Sequence, residues 1–236
     1  IVYEKCSHLL EESKIVISEQ KNDVLDKIKK NISRNSSEKI IFGENYNYKK
    51  NASGFVYTDK MGKINLPLPN LLGDFQISNV SAAIAAVRNL AQFKISEQHI
   101  KKAITKIKSE GRLQAITKGR LRECVAENNQ ILIDGAHNSL AASAISEYLE
   151  TLDGGRKIFM VLGMMANKEH KEFIQTFKGR VHSVIALDIP NQINFIEKEK
   201  LSKIVQSCGI PSKTENSIES ALKNIAKEND NAIIFC

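Results

Sequence analysis

The sequence predicts an α/β fold with a doubly wound, mainly parallel sheet, preceded by a smaller unit of different pattern. From about residue 119 onward, short apolar segments alternate with segments whose apolar residues recur at helical spacing. The apolar segments are continuously hydrophobic, as in IFMVLG at 158–163, which is typical of parallel strands covered on both faces. Composition and pattern change near 109–118, so we predict one unit over 1–110 and another over 111–236.

In the second unit, predicted strands and helices alternate along the chain. Strands are expected at 120–126, 131–134, 158–163, 182–187 and 232–236. Helices are expected at 139–152, 168–177, 197–207 and 218–228. In an open parallel sheet, ligands bind beyond the carboxyl ends of the strands. The loops that follow residues 134 and 163 are therefore the expected binding loops.

The first unit has a less regular pattern. Strands are expected at 14–18, 39–42, 54–58 and 63–66, and helices at 22–32, 78–93 and 96–108. Residues 59–62 (DKMG) read as a hairpin turn that joins the last two strands. The helix at 78–93 is rich in alanine, which favours close packing over a wide apolar face.

Composition indicates a globular protein, with 42% hydrophobic and 26% charged residues among 236. No membrane span or signal peptide is readable, so we expect a cytoplasmic protein without a membrane partner. The four cysteines lack CxxC spacing, which argues against a zinc site and against a disulfide framework. Because the chain opens on Ile1 and closes on an apolar run that ends at Cys236, we expect a fragment at both ends.

The net charge of +7 is concentrated in one stretch. Between residues 101 and 122, eight basic residues face one acidic residue, Glu110. Such a surplus attracts an anion, although a solvated helix face in a lysine-rich protein is the favoured explanation of the charge run taken alone. Only 6% of the residues are aromatic, so the stacking platforms of a nucleic-acid binder are scarce and this partner is not favoured.

The stretch ILIDGAHN at 131–138 places Asp134, His137 and Asn138 at the end of a predicted strand. Either Asn138 or Ser139 suits the N-cap of the following helix, whose start attracts phosphate in any case. Capping accounts for Asn138 but leaves His137 unexplained.

Lys168 and Arg112 are two further candidates for binding an anion. Lys168, in LGMMANKEH after the strand at 158–163, can meet a phosphate or be an ordinary exposed loop lysine. Arg112 follows Gly111, which lets the backbone approach a ligand, or it is a surface arginine in a linker. No GxxxxGK[ST], GxGxxG or HExxH pattern is present. The residues alone thus predict an anion-binding α/β domain without identifying the anion.

Five segments in this order resemble the folylpolyglutamate synthase and dihydrofolate synthase family of the Mur ligase superfamily. They are Glu4-Lys5, LPLPNLLGDFQISNVSAAIAA at 66–86, GRLQ at 111–114, ILIDGAHN at 131–138 and LGMMANKE at 162–169. The resemblance implies that 1–110 is the tail of an ATP-binding central domain. It also implies that 111–236 is the Rossmann-like carboxy-terminal ligase domain.

The resemblance implies an ATP-dependent ligase that uses magnesium. A carboxylate of folate or dihydropteroate would be activated as an acyl phosphate, which the amine of L-glutamate then attacks. Such chemistry rests mainly on positioning and on stabilisation of phosphate charge.

The same resemblance implies roles for individual residues. ATP would be contacted by Asn79, Arg112 and Asp134. His137 would face the phosphates as a catalytic residue, and Lys168 would lie at the glutamate and phosphate end. Lys5 would be carbamylated, and as an anion it would help to hold magnesium.

The sequence also departs from the family pattern. The family's phosphate loop and its serine, glutamate and histidine magnesium ligands would lie upstream of Ile1. Phe75 stands where a histidine is usual, and Asn167-Lys168-Glu169 stands for Asp-Lys-Asp. We therefore expect the back half of such a ligase, complementary to a separate amino-terminal half. The alternative is a catalytically inactive nucleotide- or anion-binding remnant.

Overall fold

The computed structural model describes residues 2–10, 13–33, 35–152 and 154–236. The chain divides into two compact units, residues 1–108 and 109–236. Each unit has its own sheets and its own hydrophobic core.

The first unit contains a short parallel pair of strands and an antiparallel meander. Its elements are α1 (Val2–Cys6), β1 (Ile15–Ile17), α2 (Asn22–Asn31), β2 (Lys39–Ile41), β3 (Tyr46–Asn51), β4 (Gly54–Asp59), β5 (Gly62–Pro67), α3 (Phe75–Arg88) and α4 (Glu97–Ile104). Strands β1 and β2 are parallel, whereas β3, β4 and β5 pair antiparallel in that order. Asp59 lies opposite Gly62, which confirms the hairpin turn predicted at 59–62.

The meander packs against α3 and α4. Phe55 and Tyr57 of β4 are fully buried, and the core around them includes Ile84 of α3 and Ile100 of α4. Helix α3 begins at Phe75, three residues earlier than predicted, and ends at Arg88 rather than at residue 93. It ends there because the Asn89 side chain donates to the Ala85 carbonyl (2.8 Å), which satisfies a group in the last turn.

In the second unit, strands alternate with helices as predicted. Its elements are β6 (Gln114–Ala115), a 3-10 helix (Arg122–Cys124), β7 (Gln130–Ile133), α5 (Ser139–Leu152), β8 (Ile158–Leu162), α6 (His170–Gln175), β9 (Ser183–Ala186), α7 (Lys198–Ser207), β10 (Ser212–Thr214), α8 (Ile218–Glu228) and β11 (Ile233–Phe235). The strand order is β10-β9-β8-β11-β7-β6. All neighbouring pairs are parallel except β6 with β7, which confirms the predicted mainly parallel sheet.

Both faces of this sheet are covered. On one face, Ile131, Phe159 and Ile234 pack with Leu222 and Ile225 of α8. The opposite face includes Met160 and Phe235, which are also buried, and the Phe235 ring lies 6.2 Å from that of Phe177 after α6. Continuous burial of both faces explains why β8 is apolar throughout.

One predicted strand, at 120–126, is wrong. The segment forms a turn and the 3-10 helix, because the Arg122 guanidinium donates to the carbonyls of Val125, Ala126 and Glu127 at 2.6–3.2 Å. These bonds satisfy the backbone locally instead of in a strand ladder. The apolar residues of the segment still pack against the α8 face of the sheet.

Three strands, β3, β6 and β10, were not predicted. Strand β3 (YNYKKN) carries lysines on an edge, β6 (QA) has only two residues, and β10 (SKT) has no apolar residue at all. All three are held by backbone pairing with a neighbouring strand, a contact that hydrophobic periodicity does not report.

No helix in the described ranges combines the length and apolar character needed to cross a membrane. The cysteines Cys6, Cys124, Cys208 and Cys236 carry free thiols.

Candidate functional site

The predicted binding loops of the second unit meet at one edge of its sheet. Strands β7, β11 and β8 are adjacent and parallel, so their carboxyl ends lie together. Asp134 follows β7, and Lys168 lies in the loop after β8. Since neighbouring strands are about 4.8 Å apart, the ends of β7 and β8 are roughly 10 Å apart. This distance suits a phosphate-sized group between the two loops.

Cys236 lies between these two loops, directly after β11. Its backbone carbonyl accepts from the Asp134 amide and its own amide donates to the Leu132 carbonyl, both at 2.8 Å. Burial raises the pKa of the Cys236 thiol to about 12. The thiol is therefore neutral near pH 7 and does not repel an anion at this edge.

Helix α5 begins at the same edge. The Asn138 side chain accepts a hydrogen bond from the Ala141 amide (2.9 Å), and its carbonyl accepts from Ala142 (3.0 Å). Asn138, rather than Ser139, is therefore the N-cap. The first turn of a helix still presents backbone N–H groups without intrahelical partners, together with the positive end of the helix dipole, and attracts an anion.

The Asp134 carboxylate links the turn at 111–114 to the loop that precedes α5. One carboxylate oxygen accepts from the Leu113 amide and the other from the Ala136 amide, both at 2.8 Å. In addition, the Gly135 amide donates to the Gly111 carbonyl (2.9 Å). The segment GRLQ at 111–114 thus lies against the loop that leads into α5.

Arg112 is at the tip of that turn. It lies between Gly111, at a φ of +63°, and Leu113, at a φ of +44°. The Arg112 side chain is exposed and forms no hydrogen bond or ion pair with the part of the chain that the structure describes. Its guanidinium is available for an anion beside the start of α5.

His137 is exposed on the loop before α5. Its Nδ1 lies 3.2 Å from the Gly135 carbonyl oxygen. A carbonyl only accepts hydrogen bonds, so Nδ1 carries the proton donated in this contact, and Nε2 takes no part in it. Nε2 is therefore left for a ligand at this edge.

Lys168 is half-buried in a loop that is held at several points. The Met165 carbonyl accepts from the Lys168 amide (3.3 Å) and faces Nε2 of His170 (2.9 Å). The loop after β9 also holds it, because Ala166 donates to the Asn194 carbonyl (3.0 Å). His170 and Asn194 were missed by sequence reasoning, since neither lies in a recognisable spacing with Lys168.

The two remaining predicted residues belong to the first unit. Asn79 is exposed on α3 and its side-chain amide donates to the Gln76 side chain (3.0 Å). Lys5 is exposed on α1. Hydrogen bonds thus join the segments of the second unit that carry Arg112, Asp134 and His137, and Lys168 follows a strand that ends at the same edge. The roles of all six residues stay predictions.

Metal ligands do not converge within the described ranges. No group of three or more His, Cys, Asp or Glu side chains that could hold a metal ion is found there. The described residues therefore do not form a magnesium site by themselves.

A cavity of about 370 Å³ lies in the first unit. Residues of β2, of the 43–47 turn and of β4 line it, and none of the predicted site residues is among them. Its walls offer ion pairs that are already formed, such as Lys60 with Glu38. Arg112, Asp134, His137 and Lys168 lie instead in the loops at the edge of the six-stranded sheet of the second unit.

A parallel sheet has, at one edge, an N-capped helix, a histidine and an arginine without a partner among the described residues, an arrangement suited to binding an anion. The family model described as Mur ligase, glutamate ligase domain, matches residues 119–236, which is half of the chain. The chain belongs to the Mur ligase family, through its glutamate ligase domain.

Curated relatives are named dihydrofolate synthase/folylpolyglutamate synthase. The protein of Buchnera aphidicola from Acyrthosiphon pisum is 28% identical over 160 residues, which cover 66% of this chain and 36% of that protein. That of Haemophilus influenzae is 30% identical over 133 residues, covering 52% of this chain and 29% of that protein. The chain therefore spans well under two thirds of the length of these relatives.

Solved structures share the fold over nearly the whole chain. Escherichia coli FolC, in complex with DHPP and ADP, superposes with a TM-score of 0.82 at 20% identity, covering 100% of this chain and 52% of that one. Mycobacterium tuberculosis folylpolyglutamate synthase, complexed with ADP and AMPPCP, gives 0.81 at 18% identity, covering 99% and 55%. At these identities the likeness establishes the fold.

Proposed function

We propose that this chain is the back half of an ATP-dependent ligase that adds L-glutamate to folate or dihydropteroate through an acyl phosphate. The observation that carries the proposal is the unpaired Arg112, fastened beside the start of α5 in a glutamate ligase domain. The relatives' names supply the substrate class.

In the proposed reaction, a substrate carboxylate attacks the γ-phosphorus of ATP and ADP leaves. The glutamate amine then attacks the carbonyl carbon, inorganic phosphate leaves, and the nitrogen loses a proton as the amide forms. Both steps move negative charge over phosphate oxygens, which fixed positive groups stabilise.

The residues at the sheet edge suit this charge movement. Arg112 and the start of α5 would bind nucleotide phosphates, since a guanidinium and free backbone amides are strong donors to phosphate. His137 would face the phosphate region. The Lys168 ammonium would lie at the glutamate and phosphate end, where it would stabilise the acyl phosphate.

The solved neighbours support the proposal of a nucleotide and a divalent cation. One solved bifunctional folylpolyglutamate synthase/dihydrofolate synthase has Mn, AMPPNP and L-glutamate bound, which supports a nucleotide with a divalent cation. We propose ATP and magnesium for this chain. Contact of Asn79 with ATP, and carbamylation of Lys5 near magnesium, are part of the same proposal.

A catalytically inactive nucleotide- or anion-binding remnant is the second candidate. The observations in its favour are two departures from the family pattern, since Phe75 stands where a histidine is usual and Asn167-Lys168-Glu169 stands for Asp-Lys-Asp. This candidate predicts nucleotide binding without glutamate transfer, even when an amino-terminal half is supplied.

Calorimetric titration of the chain with MgATP tests the proposed site. Loss of one charge-assisted contact weakens binding by roughly 1.5–3 kcal/mol, so R112A should raise the Kd at least about tenfold. R120A is the matched control, because Arg120 belongs to the same basic stretch but is paired with Glu219 at 3.5 Å.

The titration is repeated with an amino-terminal half supplied. Binding by wild type and R120A, with weak binding by R112A, supports the site. Absence of ATP binding both alone and in the pair, or equal affinities of wild type and R112A, contradicts it.

A further inference from the structure

We infer that Asp134 is a positioning residue that serves nucleotide binding by holding the turn that carries Arg112. The inference rests on the proposed function for its ligand. Its structural part, the fastening of the Arg112 turn by Asp134, is testable without any nucleotide.

The first ground is that both oxygens of the Asp134 carboxylate accept hydrogen bonds from the backbone. Each of its two oxygens accepts a backbone hydrogen bond at 2.8 Å, one from Leu113 and one from Ala136. The two donors lie on different segments, so the carboxylate bridges the GRLQ turn and the loop into α5. The backbone of Asp134 is itself fixed, because its amide donates to the Cys236 carbonyl at 2.8 Å.

The second ground is the conformation of the turn. Leu113 has a φ of +44°, a left-handed conformation that a branched side chain adopts only at an energetic cost. Its side chain is 1% exposed, and its amide is the one that Asp134 accepts. Burial and the carboxylate thus hold a strained residue next to Arg112, and strained backbone of this kind points to a functional constraint.

The third ground is the closure of the turn around Arg112. The Gly111 amide donates to the Gln114 side chain (3.0 Å), and the Gly111 carbonyl accepts from Gly135 (2.9 Å). Both neighbours of Arg112 are therefore fixed, while its guanidinium takes no part in these bonds. A side chain presented from a rigid turn loses less entropy on binding, so the turn pre-organises Arg112 for an anion.

The structural part is tested by hydrogen exchange in the full chain. D134N keeps the size of the side chain, but its amide group can accept only one of the two bonds and presents N–H groups to the other donor. We expect the amide that loses its acceptor, Leu113 or Ala136, to lose hydrogen-exchange protection at least about tenfold, because one of the two bonds that join the turn to the loop is broken. Unchanged protection of both amides in D134N would overturn the inference.

D188N is the matched control for this change. Asp188 follows β9 at the same edge of the sheet, and its carboxylate accepts one backbone bond, from Lys198 at 2.8 Å. Because the amide in D188N still accepts one bond, protection of Leu113 and Ala136 and affinity for ATP should match wild type.

The functional part is tested by a double-mutant cycle with MgATP. If Asp134 acts through Arg112, D134N should weaken binding about tenfold in wild type but less than about twofold in the R112A background. At one ATP concentration near the wild-type Kd, the Arg112 Nε–H resonance should shift less in D134N than in wild type. Equal losses in both backgrounds would show direct contact and would overturn the positioning role.

Failure of the proposed function gives a different pattern. If wild type binds no ATP, the proposed function fails, while protection of Leu113 and Ala136 still decides whether Asp134 fastens the turn. If D134N exposes the turn yet leaves ATP affinity unchanged while R112A weakens it, the link between the two residues is overturned.

Discussion

A buried ion pair anchors helix α3 to the meander of the first unit. The Arg88 guanidinium makes two bonds with the Asp59 carboxylate, at 2.8 and 3.0 Å, and the two side chains are only 11% and 4% exposed. Because burial removes water from both charges, each charge is stabilised mainly by the other.

Replacing Arg88 should therefore destabilise the first unit strongly. R88M leaves Asp59 buried without a counter-charge, and we expect the free energy of unfolding to fall by about 3–5 kcal/mol. The measurement is urea denaturation followed by circular dichroism. K50M, which breaks the exposed Lys50–Asp74 pair, should cost no more than about 1 kcal/mol; equal losses would contradict this view of Arg88.

Tyr46 gives the first unit a dependence on alkaline pH. Burial, assisted by the charge of Glu19, raises the pKa of Tyr46 to about 12, and its hydroxyl donates to the Ile17 carbonyl at 3.0 Å. The folded state holds this proton above the unfolded pKa of about 10. The resulting stability is complete below about pH 10 and is lost as pH rises towards 12.

Y46F tests this dependence. The variant should be less stable than wild type by about 1 kcal/mol at pH 8, and the difference should shrink between about pH 10 and 12 because only wild type loses a proton-linked contribution. Urea midpoints measured across this range give the comparison. A difference that stays constant with pH would show that Tyr46 does not titrate as described.

At the level of residues, sequence reasoning found the groups but not the bonds that arrange them. Asp134 and Lys168 were predicted because polar residues follow strands in a parallel sheet. The bond from Leu113 to Asp134 joins residues 21 positions apart, and the contact of His170 with the Met165 carbonyl depends on a loop conformation. Neither leaves a periodic signal, so only the fold reveals them.

Among the elements, those with strong local signals were predicted best. Helices α5 and α8 begin and end at the predicted residues. Helix α8 has a capping box in which Ser217 accepts from the Ser220 amide at 3.1 Å, and Asn138 caps α5. The segment 120–126, which was wrongly predicted as a strand, has apolar residues but no such capping signals. Its turn is stabilised by hydrogen bonds from the Arg122 side chain to backbone carbonyls.

The meander offers a test at this scale. A Cβ added to Gly54 would lie 2.0 Å from the Leu66 carbonyl oxygen on β5, and backbone on both sides leaves no room to relax. We expect G54A to reduce the free energy of unfolding of the first unit by about 1–3 kcal/mol or more.

G135A is the comparison for this substitution. The contact nearest to its added Cβ is the Gly111 carbonyl oxygen, at 3.8 Å, an ordinary distance. Its effect on unfolding should stay within about 0.5 kcal/mol. Thermal denaturation of both variants measures the difference, and a tolerated G54A would contradict the close approach of β4 and β5.

For the molecule as a whole, ordered segments identified the fold better than any single motif. GRLQ, ILIDGAHN and LGMMANKE follow one another in the order typical of the family, and the structure brings all three to one edge of the second unit's sheet. The substrate and the phosphate-binding groups beyond Arg112 could not be derived in this way. The chain covers about half of the solved structures that share its fold, and the residues outside that half leave no signal in this sequence.

Glutamate transfer by the complemented chain tests the proposed ligase most directly. The chain is mixed with the amino-terminal half of the Escherichia coli dihydrofolate synthase/folylpolyglutamate synthase, and MgATP-dependent incorporation of labelled L-glutamate into dihydropteroate or folate is followed. The intact Escherichia coli enzyme is the positive control. We predict product with both halves present, an unchanged rate for R120A, and a rate about 100-fold lower for R112A. No product from the pair while the intact enzyme is active, or an R112A rate equal to wild type, would contradict the account.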